Sequence, residues 1–138
     1  MVDPRFEAGV PTLAGVGPGL TPFGDDVLTG YVAGQALLGE QDASAIAELA
    51  ARRTTALSAT LLRHAATGEL AEPAHALVLN GDIEPLLCFG SSSGVGIALG
   101  LALAFPPKAI RSPRRECRIS GIVEGSVSRV ESNENSVN

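Results

Sequence analysis

Gly15-Val16-Gly17-Pro18-Gly19-Leu20-Thr21-Pro22-Phe23-Gly24-Asp25-Asp26 is the stretch that decides how this chain is read. Its glycines and prolines force a tight, irregular backbone, and an apolar run follows. Thr21 reads as a helix N-cap and Pro22 as the first helical residue, where a missing N–H costs nothing. The helix then spans Pro22 to about Leu38 and stops at Gly39. Asp25 and Asp26 fall in its first turns, where the helix macrodipole favours negative charge. A turn that delivers the chain into a helix start presents several free N–H groups at once. Gly17, Gly19, Thr21 and Gly24 are therefore candidate ligand-binding positions, and a phosphate or carboxylate is the matching ligand. Within the helix, Gly30 and Gly34 stand one turn apart on one face. Glycine there costs about 1 kcal/mol against alanine, so the pair predicts close approach of another backbone.

Upstream, residues 1–14 form a lead-in without a pattern. Downstream, residues 43–67 are helical in composition. Ile46, Leu49 and Ala50 make one apolar stripe; Leu57, Leu61, Leu62 and Ala65 make another. Arg52-Arg53-Thr54-Thr55 breaks or kinks the helix between them, with Thr55 placed to cap the second half and Gly68 to end it. Pro73 to Leu79 predicts a short helix closed by Asn80-Gly81, and Asp82 caps another from Ile83 to about Phe89. A second turn, Gly90-Ser91-Ser92-Ser93-Gly94, feeds an apolar helix that reaches Phe105 and is stopped by Pro106-Pro107. From residue 108 onward Arg, Ser, Asn and Glu dominate, which predicts a disordered tail over 108–138. The expected fold is mainly α: small-residue-rich helices over 15–107, started by glycine-rich turns, as part of a larger α/β or α domain.

The two glycine turns echo each other. Thr21, Gly24 and Gly30 match Ser91, Gly94 and Gly100 in spacing. Two similar turn–helix units would pack through their glycine faces and point their N-termini at one shared pocket. Ser91, Ser92, Ser93 and Gly94 join the candidate site on this ground. The echo fails at Asp26, which corresponds to Gly96, so the second unit has no carboxylate.

Composition narrows the function. Apolar residues make up 45% of the chain but aromatics only 4%, so the core must be built from Leu, Ala, Val and Gly. A net charge of −5 leaves no electrostatic footprint for nucleic acid. Cys88 and Cys117 have no CxxC partner, which argues against a metal cluster or disulfide framework and favours a reducing, cytoplasmic setting. The charged N-terminus does not resemble a signal peptide. Residues 86–105 carry no charge and are followed by arginines, which allows a single membrane span. Gly90 to Gly94 would then lie at mid-membrane depth, which disfavours that reading.

Gly17-Pro18-Gly19-Leu20-Thr21-Pro22 with Gly24-Asp25-Asp26, followed by an apolar helix, resembles the signature of a bacterial family of uncharacterised proteins. That family includes the AllH-type subunit associated with the oxamate carbamoyltransferase of anaerobic allantoin breakdown. Arg53-Thr54-Thr55 with Ser58 and Gly68 is similar to the family's middle segment, and Gly90 to Gly94 to its late turn. The likeness spans about Leu13 to Phe105. The family usually has a small residue where Phe23 stands, a histidine near Ser91 and an aspartate near Gly96. The resemblance implies carbamoyl transfer among small anions (oxalurate, oxamate, phosphate) and partner subunits or a homo-oligomer. It also implies that this chain is a truncated or frame-shifted, C-terminal part of the family domain with a non-homologous tail, which puts its catalytic competence in question.

The two aspartates oppose an anion at the same helix terminus. Mg²⁺ held by Asp26, or an arginine, with Arg52 or Arg53 the basic candidate, would relieve the repulsion. Alternatively the aspartates accept hydrogen bonds from a substrate amide. The plainer reading is that Thr21 and Asp25 cap the helix and the glycines make the turn. Adjacent helical residues point about 100° apart, so Asp25 and Asp26 do not form a proton-sharing dyad. Asp26, on the face of Gly30, is the one expected in a pocket. The serines have no neighbouring histidine in sequence, His64 reads as a boundary residue and His75 as solvent-facing. Three functions stand: a subunit or ligand-binding module of a carbamoyl-transfer enzyme, a non-catalytic packing and oligomerisation module, and a small membrane protein.

Overall fold

In a computed structural model of the chain, residues 4–105 are described, with the side chains of residues 5–7 excepted. They form seven helices and no strand: α1 (Pro4–Leu13), α2 (Phe23–Leu37), α3 (Ala43–Ala51), α4 (Ala56–Ala65), α5 (Glu72–Asn80), α6 (Glu84–Leu87) and α7 (Ser93–Ala104). The mainly α reading holds. The 108–138 tail and Cys117 lie outside the described residues.

α2 is the central element. Ten of its residues are buried, including both aspartates, and it touches α1, α3, α4 and α7. Leu28, Val32 and Ala33 meet Val10, Ile46, Ala50, Leu62 and Ala65 in one apolar cluster. A second, smaller cluster joins Ala74, Leu86, Ile97 and Leu101 from α5, α6 and α7.

The two clusters meet where α2 packs on α7, and the glycines explain how. A Cβ at Gly30 would run into the Ile97 carbonyl oxygen, and one at Gly100 into the Val27 carbonyl oxygen. Val27 and Ile97 each precede their own glycine by three, so the contact is reciprocal. Asp26 meets Gly96 near the start of the helices and Gly34 meets Ala104 near their end, so α2 and α7 run parallel. These glycine faces are consumed within the chain, which removes them as the oligomerisation surface of the packing-module reading.

Other expectations are met or revised locally. Thr55 caps α4, its hydroxyl accepting from the Ser58 N–H at 3.1 Å. Gly39, Gly68 and Gly81 take positive φ where helices were expected to stop. Thr21 does not cap α2: the helix begins one residue later, with Pro22 at the cap position and no side-chain cap bond. Asp82 does not cap α6, whose cap position is Ile83. Residues 4–13 of the lead-in are helical, and Val10 and Ala14 enter the main cluster. On α4, Leu57 and Leu61 are exposed, while Ser58, Ala59, Leu62 and Ala65 form the buried face. Residues 86–105 are split between α6 and α7, and no described helix is long and apolar enough to cross a membrane.

Candidate functional site

The glycine turn before α2 is held by its own residues and by the start of α4. Asp25, fully buried, accepts the Gly15 N–H at 2.8 Å through Oδ1 and the Thr54 hydroxyl through Oδ2. The Thr55 hydroxyl donates to the Leu20 carbonyl at 2.6 Å, and the Ser58 hydroxyl reaches the same oxygen at 3.4 Å. The Gly24 N–H donates to the Val16 carbonyl at 2.9 Å, and those of Asp25 and Asp26 to the Pro22 carbonyl. The Gly24, Asp25 and Asp26 donors of this terminus are thus engaged within the protein, and Asp25 is an anchor that fixes the turn.

Asp26 has a different position. It lines a pocket of about 590 Å³ beside the first turns of α2 and α7. Thr21, Thr29 and Ser93 supply hydroxyls; Leu61, Leu70, Phe89 and Ile97 supply apolar wall; His64 and Glu69 complete the polar lining. The Thr21 and Ser93 hydroxyls lie 3.3 Å apart, which links the two turns directly. Asp26 is 4% exposed, and among the described residues its buried Oδ2 has no hydrogen-bond partner. Burial pushes its carboxyl above the ordinary carboxylate range, a hydrogen bond with the Ser93 side chain opposes that rise, and the Asp25 charge adds to it.

Gly96 accounts for the single carboxylate. A Cβ at residue 96 would sit 2.7 Å from the Asp26 Cβ and 3.3 Å from the Phe23 ring. The seam admits one side chain at this level, and Asp26 occupies it.

The structure divides the candidate residues. Thr21, Asp26 and Ser93 share the pocket. Gly24 and Gly94 are buried where α2 and α7 pass close to the Leu13 and Leu86 carbonyls. Gly17, Gly19, Ser91 and Ser92 are exposed and do not line the pocket, and the same is true of Arg53. No group of three His, Cys, Asp or Glu side chains among the described residues could hold a metal ion.

Several residues emerge that the sequence alone did not assign to the site, Thr29 of the lining among them. Thr54 and Ser58 pin the turn from outside the glycine run, and the likeness of that segment to the family's middle segment was the only sign of them. His64 and Glu69 line the pocket, with Nδ1 and Oε2 2.6 Å apart. His75 is half-buried rather than solvent-facing, its Nε2 accepting the Leu70 N–H at 3.3 Å.

A family model described as oxamate carbamoyltransferase subunit AllH matches residues 13–105. The chain belongs to the AllH family. Every residue that lines the pocket falls inside the AllH match, as do both glycine turns and the Thr54–Ser58 segment that holds the first. No curated protein and no solved structure matches the chain.

Proposed function

We propose that this AllH-family chain is a ligand-binding subunit of a carbamoyl-transfer enzyme. Its pocket beside the first turns of α2 and α7 holds a small ligand bearing a carbamoyl or amide group. The observation that carries this reading is the buried, unpartnered Oδ2 of Asp26. A buried carboxylate oxygen without a partner is costly, and an N–H donor from a ligand removes that cost. The NH₂ group of a carbamoyl or amide end supplies such a donor, and the Thr21 and Ser93 hydroxyls can each donate or accept beside it. Direct contact with the amide is preferred to a bridging Mg²⁺ because the described residues bring no three-ligand cluster to Asp26. The subunit reading is supported by α7. It has no charged residue, and it leaves Val95, Leu99 and Leu103 exposed in one row, as a helix covered in an assembly would.

Calorimetric titration of the chain with oxamate tests the assignment. Asp26→Ala removes the acceptor and is expected to weaken binding about 10- to 100-fold, the range for a hydrogen bond to a charged group. Unchanged affinity in a folded Asp26→Ala protein would show that the ligand is held elsewhere.

A further inference from the structure

The wall formed by the end of α4 and the turn after it has its own chemistry. Gly68, at φ 81°, reverses the chain after α4, and the Glu69 N–H donates to the His64 carbonyl at 3.0 Å. This reversal lays the Glu69 side chain against the His64 ring, with Oε2 2.6 Å from Nδ1. An ionised carboxylate only accepts, so Nδ1 carries the hydrogen and Nε2 is the ring nitrogen left for a ligand. Both residues line the pocket that contains Asp26.

His64 is the only side chain among the described lining residues able to carry a positive charge. Arg53 lies outside the lining, and Arg63 is forked onto Glu48 at 2.7 and 3.3 Å. We infer that His64, oriented by Glu69, is the residue that reads the anionic end of the ligand, while Asp26 holds its N–H end. Glu69 is a positioning residue that acts through His64. The inference deepens the carbamoyl-ligand reading and rests on it. It also answers how a pocket with two carboxylates accepts an anion. In the protonated ring both nitrogens donate, Nδ1 to Glu69 and Nε2 to the anionic end of the ligand, so the ring offsets Glu69 while Asp26 is turned to the uncharged end.

The pair is largely solvent-exposed, with side chains 59% and 66% accessible, so it contributes little to stability and its variants are expected to fold. The test is titration of the full chain with oxamate and with oxamide, in which an uncharged amide replaces the carboxylate. His64→Gln keeps an N–H and loses the charge. Oxamate affinity is expected to fall about tenfold and oxamide affinity to stay unchanged. Glu69→Gln is expected to lower oxamate affinity in the same sense with no change in melting temperature. Asp26→Ala is expected to weaken both ligands. Equal loss of both ligands in His64→Gln, or loss of neither, overturns the role of His64 and leaves the Asp26 reading standing. Failure of the parent chain to bind either ligand overturns both.

Discussion

Asp25 and Asp26 are neighbours in the chain and have opposite surroundings. Asp25 is satisfied by Gly15 and Thr54, whereas Asp26 retains an unpartnered oxygen at the pocket. Their separation was legible in the sequence, because consecutive helical residues diverge by about 100° and Asp26 shares a face with Gly30. The partners of Asp25 were not legible, since Thr54 comes to it across a chain separation that no local pattern encodes. The state of Asp26 has a measurable consequence. Burial raises its folded pKa above the ordinary 3.8, so the folded chain holds this proton more tightly than the unfolded chain does. The stability from protonation is fully present below the ordinary value and is lost as pH rises through the raised one. Asp26→Asn removes the ionisation. It is expected to melt higher than the parent at pH 7, with the gap closing as the pH falls toward 3.8. A variant that melts lower at pH 7, or a gap that widens on acidification, would contradict this.

At the scale of elements, the helices most readable in sequence were those bounded by glycine and those carrying close-approach glycines. Gly30 and Gly100 have the spacing of the echo, and the structure makes them reciprocal across the α2–α7 seam. α1 was hidden because Pro11 lies inside it, and Pro4 and Gly9 further dilute any helical signal. Its position is set by Val10 and Ala14 against the main cluster, a tertiary cause rather than a local one. The buried face of α4 was half read: Leu62 and Ala65 are buried as expected, whereas Leu57 and Leu61 are exposed. The site draws Leu61 into the pocket wall and buries Ser58 to hold Leu20. The seam itself can be tested by adding single methyl groups. Gly30→Ala and Gly100→Ala place a Cβ against a backbone carbonyl, so the helices must part. The expected cost is about 1–3 kcal/mol or more in denaturant unfolding. Gly9→Ala is the control: nothing lies within 4 Å of its Cβ position, and helix propensity alone favours it by up to about 1 kcal/mol. Seam variants as stable as the control would mean that α2 and α7 do not meet through these glycines.

Over the whole molecule, the two apolar clusters are unequal, and the smaller one has few buried members. Four buried residues from three short helices make a poor independent core, because little apolar surface leaves water. The second cluster is therefore stable through its attachments. α7 is fixed to α2 along the glycine seam, and Leu70 packs against both clusters. The same two attachments build the pocket, whose lining includes Asp26 of α2, Ser93 and Ile97 of α7, and Leu70. Ligand binding and the union of the clusters are thus linked, since a ligand held by residues from both sides favours the joined state. Leu86→Ala tests the union directly. Leu86 is fully buried in the small cluster, and its truncation is expected to cost about 2–5 kcal/mol. If the clusters unfold together, the variant shows one transition moved to lower denaturant by all probes, as does Leu62→Ala in the large cluster. Hydrogen exchange would then report the loss of protection in α2 as well as α7. A separate early transition confined to α5–α7, with α2 protection intact, would show that the seam does not couple the two halves.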